Sequence, residues 1–99
     1  MEKRTSYDRQ ADLLKALSNP LRLRIVHGLL RQGGHNVSYI ERETGMSQSC
    51  VSQHLQKLRS AGILEADRQG NEVFYHVASA EAAAVLAALF REEAEGYVL

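Results

Sequence analysis

Gly45-Met46-Ser47 constrains the fold more than any other stretch of the chain, because it ends one short helix and starts another within three residues. Asn36 to Thr44 carries Val37, Ile40 and Tyr39 at helical spacing, and Gly45 breaks that pattern. Ser47 is a good N-cap, with Met46 and Val51 at the positions of a hydrophobic staple around it. Val51, Leu55 and Leu58 then make one apolar stripe that runs until Ala61-Gly62. Two short helices joined by such a turn bury one face each, so other elements must cover them.

The flanking sequence supplies those elements. Ala11, Leu13, Leu14 and Leu17 recur at helical spacing, which predicts a first helix from about Ser6 to Leu17. In Ser18-Asn19-Pro20, Asn19 can cap a second helix and Pro20 fits its first position, where a missing N–H costs nothing. Leu21, Ile25 and Leu29, with Leu23, Val26 and Leu30, make that helix largely buried until Gly33-Gly34 stops it. Ile63–Arg68 and Glu72–Val77 read as strands, joined by Gln69-Gly70-Asn71, residue types that tolerate positive φ. A last helix is expected from Ser79 or Ala80 to about Glu95, with Glu81 in its first turn and Ala83, Leu86, Leu89 and Phe90 on its apolar side. The expected architecture is mainly α with a small β-hairpin, in the order α-α-α-α-β-β-α. That is a winged helix-turn-helix with an extra helix at each end. Residues 1–99 are expected to form a single domain of this kind.

Composition narrows the class. The apolar fraction, 44%, is ordinary for a globular protein, and the longest apolar run is far below a membrane span. The basic start, with Lys3, Arg4 and Arg9, has no apolar stretch behind it and does not read as a secretion signal. One cysteine allows no internal disulfide, so a reducing, cytoplasmic setting is expected. Formal net charge is zero, but its distribution is uneven. Residues 1–60 hold ten Lys/Arg against five Asp/Glu, a balance of +5, and residues 61–99 hold two against seven, a balance of −5. A basic face for nucleic acid is compatible with that total, because the local field matters more than the sum.

The second helix of the glycine-separated pair carries the functional signal. Opposite its apolar stripe lie Gln48, Ser49, Ser52, Gln53 and Gln56, and no carboxylate occurs between Glu43 and Glu65. Gln pairs with adenine through two hydrogen bonds and Ser reaches base edges or phosphates, so these side chains are candidates for the base-reading surface. Ser47, Lys57 and Arg59 are candidates for the DNA backbone. A polar helix face is often no more than a solvated surface. The hairpin tip, Arg68-Gln69-Gly70-Asn71, tips the balance, because an Arg there suits the negative potential of a minor groove.

The runs Leu14-Lys-Ala-Leu-Ser-Asn-Pro-Leu-Arg-Leu-Arg-Ile-Val26, Gly45-Met-Ser-Gln-Ser-Cys-Val-Ser-Gln-His-Leu-Gln-Lys-Leu-Arg-Ser-Ala-Gly-Ile-Leu64 and Glu72-Val-Phe-Tyr-His-Val77 resemble repressors of the ArsR/SmtB family over about residues 10 to 90. The resemblance implies a homodimer built on the first and last helices, double-stranded DNA as partner, and release from DNA by an inducer. No inducer is legible in the residues. Leu13, Leu14, Leu17, Leu86, Leu89 and Phe90 exceed what the core of a winged helix needs and are the candidate dimer interface. Two metal-site patterns of the family are missing. The region Val37–Glu43 has no cysteine, and the last helix has no histidine, so neither a metal nor another cofactor is expected. The four histidines take milder roles. His27 packs or edges the second helix, His35 lies in a loop, His54 makes a structural hydrogen bond toward the body of the protein, and His76 ends the wing.

Enzyme chemistry has no support, since no phosphate loop, nucleophile-base pattern or carboxylate pair stands out. Two alternatives stay open: a winged helix used for protein contacts, and a redox-responsive repressor acting through Cys50. A protein-contact face would carry acidic or large apolar residues rather than Gln and Ser. Cys50 lies in the first turn of the recognition helix, where the positive helix end favours negative charge, but the family often has Thr there and Cys is nearly its isostere. A packing role predicts that Cys50→Ser keeps both its DNA affinity and its indifference to oxidants in a gel-shift titration. A variant that loses an oxidant response present in the parent would support the redox alternative.

Overall fold

The computed structural model describes residues 3–91. Every helix in it opens with a side chain that replaces a hydrogen-bond partner missing from its first turn. Helix α1 (Ser6–Leu17) has a reciprocal box: Thr5 Oγ1 accepts from the Asp8 N–H (3.3 Å), and the Asp8 carboxylate accepts from the Thr5 N–H (2.9 Å). For α2 (Pro20–Gln32), Asn19 Oδ1 accepts from the amides of Leu21 and Arg22. Asn36 caps α3 (Val37–Thr44), Ser47 caps α4 (Gln48–Ser60), and Ser79 caps α5 (Ala80–Leu89). The last helix was expected to run to about Glu95, but α5 ends at Leu89 with Phe90 as its C-cap; residues 92–99 lie outside the described residues.

The hairpin forms as β2 (Leu64–Gln69) and β3 (Glu72–Val77), antiparallel, with Leu64 opposite Val77 and Gln69 opposite Glu72. Its loop is the pair Gly70-Asn71. Gly70 alone adopts left-handed backbone, at φ +65°, as a two-residue loop with glycine first requires. A third strand, β1 (His35–Asn36), was not expected from the sequence. It pairs with β3 on the other side, giving the order β1-β3-β2, and takes His35 out of the loop assigned to it. Two residues are too few to show a period, so the strand exists only through its tertiary partner. Gly34 permits the approach, since a Cβ there would stand 3.1 Å from the Tyr75 carbonyl oxygen and 3.3 Å from the His76 Cβ.

The core gathers one face from each element. Val26, Val51, Leu58, Ile63 and Ala82 are fully enclosed, with Leu55 and Leu86 at 1% exposure. Gly45, at φ +72°, turns the chain so that α3 and α4 both present their apolar sides to α2. Three of the residues expected at a dimer seam belong here instead. Leu13, Leu17 and Leu86 are buried within the subunit, because α1 and α5 close the core over α2 and α4. The inner side of α5 is Ala82 and Leu86, whereas Leu89 points out at 54% exposure.

A polar joint ties three helices beneath α4. From α2, Arg22 Nη1 donates to the carbonyl of Ala16 at the end of α1 (3.0 Å), and Arg22 Nε donates to His54 Nδ1 on α4 (3.2 Å). The imidazole must therefore present a bare Nδ1, which matches the structural hydrogen bond expected of His54. Burial first, then the charges of Arg22 and Lys57, holds its pKa below the ordinary value of about 6.5. The unfolded chain takes up that proton more readily than the folded one. The contribution to stability is thus complete above about pH 6.5 and is lost as pH falls through that value toward the lower folded one. Urea midpoints should fall between pH 7.5 and 5.5, and His54→Gln, which keeps an acceptor for Arg22, should flatten that dependence. An unchanged slope in the variant would show that the joint does not discriminate against the proton.

Candidate nucleic-acid interface

Burying Val51, Leu55 and Leu58 fixes the rotation of α4 about its axis, and the helical period then decides what faces outward. Gln48, Ser49, Ser52, Gln53 and Gln56 are all exposed, as are Ser47, Lys57 and Arg59. The helix has no carboxylate in its first turn and carries Lys57 and Arg59 in its last, so its positive N-terminal end is uncompensated. Ser47 Oγ accepts from the Cys50 N–H (3.3 Å), which leaves the hydroxyl proton available to an outside acceptor such as a phosphate. Cys50 itself is half-buried at the edge of this face.

The wing has two unlike faces. Alternation along the strands, combined with the observed register, places Leu64, Ala66 and Arg68 on one side with Val77, Tyr75 and Val73. That side looks toward α4, because Tyr75 lines a cleft of about 510 Å³ together with Ser52, Gln56, Arg59 and Ser60. The other side takes Glu65, Asp67 and Glu72. There His76 bridges Glu65 (3.6 Å) and Asp67 (3.2 Å), and Asn36 Nδ2 donates to Glu72. All three wing carboxylates therefore sit on the face turned away from α4, while Arg68 shares the face of Tyr75. At the tip Arg68, Gln69, Gly70 and Asn71 are exposed.

A second, wider cleft of about 1000 Å³ adjoins the first, shares Gln56 and Ser60 with it, and extends between α4 and the end of α1. Gln53, Gln56 and Lys57 line it together with Lys15 and Ser18 from the end of α1, and Arg22. Tyr75 on the wing side, Lys15 and Ser18 on the α1 side, and Ser60, which lines both clefts, join the surface without having been anticipated. Strand parity with Arg68 could have found Tyr75. Lys15 and Ser18 are brought in by the packing of α1 on α4, which no local pattern reports.

The six candidate dimer residues are dispersed. Leu14 is 55% exposed on α1 and Leu89 54% on α5, with Tyr7 at 85% on α1. Phe90 is half-buried and stacks on His27 at 4.2 Å between ring centroids, while Leu13, Leu17 and Leu86 are interior. His35 stacks on Tyr39. Among the described residues no three histidine, cysteine or acidic side chains converge as metal ligands, and no helix is long and apolar enough to cross a membrane.

Comparison with known proteins agrees with this geometry. Residues 19–66 match the model of the bacterial regulatory proteins of the arsR family. The chain is 40% identical over 90 residues to the biofilm growth-associated repressor of Xylella fastidiosa, covering 91% of this chain and 76% of that protein. The crystal structure of the transcriptional repressor PagR of Bacillus anthracis superposes with a TM-score of 0.80 at 36% identity, covering 85% of this chain and 95% of that one. HlyU from Vibrio cholerae gives 0.83 at 32% identity over 90% and 96%. With the helix-turn-helix, the wing and these relatives agreeing, the chain belongs to the ArsR family of bacterial regulatory proteins.

Proposed function

We propose that this protein is a sequence-specific transcriptional repressor that binds a pseudo-palindromic DNA operator as a homodimer, with α4 in the major groove and the wing tip at the adjacent minor groove. One observation carries the reading: an exposed amide-and-hydroxyl helix face, free of carboxylates and with cations on both flanks. In the major groove Gln48, Ser49, Ser52, Gln53 and Gln56 meet base edges, and Ser47, Lys57 and Arg59 meet phosphates. Arg68 approaches the minor groove from the tip of the wing. The repressors of Xylella and Bacillus named above support the sign of the regulation. The reading needs no catalytic group, metal or cofactor, and it places the protein in the cytoplasm with the chromosome.

The dimer seam falls on the apolar side chains that the subunit leaves outside, Tyr7 and Leu14 on α1 and Leu89 on α5, with the half-buried Phe90 beside Leu89. Two-fold symmetry then requires half-sites about one helical turn apart.

Gln53→Ala should lower discrimination between operator and altered half-sites by about 1–3 kcal/mol, as expected for a lost two-bond base contact. Fluorescence anisotropy against a panel of half-site variants measures this, and an unchanged preference would remove Gln53 from the reading surface. Leu14→Glu combined with Leu89→Glu should convert a sedimenting dimer to a monomer. Operator affinity should drop on the order of 100-fold, as the second half-site loses its effective concentration. A monomeric parent protein would refute the dimer.

A further inference from the structure

A helix inserted in a major groove about 12 Å wide has a phosphate strand on each side of it. On the wing side of α4 that strand meets Arg59, Ser60 and Tyr75 across the narrower cleft. The other strand needs a counterpart away from the wing, and the end of α1 borders α4 on a side that Tyr75 does not line. The wider cleft lies between α4 and the end of α1, continuous with the narrower one through Gln56 and Ser60. Gln53 and Gln56 belong both to it and to the outward face of α4, so it opens on the side that meets DNA.

The charge of this cleft is one-sided. Lys15, Arg22 and Lys57 line it, and Asp12 is the one carboxylate among its lining residues. Asp12 is already engaged by Arg4 in an ion pair. Arg22 gives its Nε–H and an Nη1–H to neutral acceptors, His54 Nδ1 and the Ala16 carbonyl, so neither contact cancels its charge. Burial is the main reason His54 holds a proton less readily, and the charges of Arg22 and Lys57 add to it. Lys15 also stands in the last turn of α1, and α2 begins beside it with no carboxylate in its first turn. Paired surface lysines are commonly just solvated. Here they share a cleft with side chains of the recognition face, on the flank where a strand must run.

We infer that the end of α1, through Lys15 and Ser18 together with Lys57 of α4, is the seat for the second phosphate strand of the operator. The inference rests on the DNA-binding reading and assigns to α1 a backbone contact in addition to the packing of its inner face. Lys15 acts as a point charge, and the Ser18 hydroxyl is a donor to a phosphate oxygen.

Salt titration of the full chain tests it. Each phosphate neutralised by a cation contributes about 0.9 to the slope of log affinity against log salt. Lys15→Gln should therefore reduce that slope by about 1 per half-site, or about 2 for the dimer. Affinity near 0.15 M salt should fall roughly 20–30-fold, by the same extent for operator and for random duplex. Lys15→Arg should restore both. Lys3→Gln removes one exposed charge that does not line the cleft and should change the slope much less. Equal effects from Lys15→Gln and Lys3→Gln, or none from Lys15→Gln while the parent binds DNA with a steep slope, would overturn the inference and leave the proposed function standing. A parent protein with no salt-sensitive duplex binding would overturn both. Lys15 is exposed, and unchanged urea midpoints confirm that its variants are folded.

Discussion

The burial of Val51, Leu55 and Leu58 is the constraint on which the rest of the molecule depends. Each is worth roughly 1.5–3 kcal/mol when withdrawn from water, so the stripe sets how α4 is turned about its axis far more firmly than any surface contact could. The outward face, by contrast, holds no side chain that the core needs. Gln48, Ser52, Gln53 and Gln56 can change without disturbing the fold, while their directions are set by the three apolar residues behind them. A scaffold built this way can serve different operators, which fits relatives that keep the fold at 29–37% identity.

Zero net charge is reconciled with a DNA partner by segregation at two scales. Along the chain the first sixty residues carry a surplus of cations and the remainder a surplus of acids. Within the wing, strand alternation performs the same sorting over a few ångströms. Glu65, Asp67 and Glu72 take the far face, where His76 and Asn36 hold them, and Arg68 and Tyr75 take the face toward α4. A one-residue slip of β2 would exchange its faces and set Glu65 and Asp67 beside the recognition helix. The short loop with Gly70 at its first position thus protects an electrostatic arrangement as well as a strand pairing.

What could be read from the sequence was whatever is written locally. The caps at Asn19 and Ser47, the breaks at Gly33 and Gly45, the stripe of α4 and the hairpin all follow from neighbours a few residues apart. The direction of His54 was legible as well, because its place between Val51 and Leu58 points it toward the body. Strand β1 was not, since a two-residue strand has no period and exists only against β3. Nor could periodicity separate apolar residues that close a subunit from those that join two. Leu13 and Leu14 are adjacent in sequence, yet one is 7% and the other 55% exposed, a difference decided by where α2 and α4 lie. Lys15 was missed for the same reason, as it joins the α4 surface only through tertiary packing, whereas Tyr75 could have been found from its strand parity with Arg68.

Helix α1 stands where three demands meet. Its inner side, Leu13, Ala16 and Leu17, seals the core, and Tyr7 and Leu14 lie outside together, seven residues apart on one side of the helix. Lys15 follows Leu14 by one residue and so by about 100° around the axis, which turns it toward the cleft beside α4. Arg22 fastens the end of this helix to α4 by bonding both Ala16 and His54. Under the dimer reading, any shift of the seam displaces Lys15 and strains the Arg22 joint in the same motion, because one rigid helix of twelve residues carries both. If both the dimer and the α1 backbone contact hold, coupling between subunit pairing and the grip on DNA would need no relay through the core, only a tilt of α1.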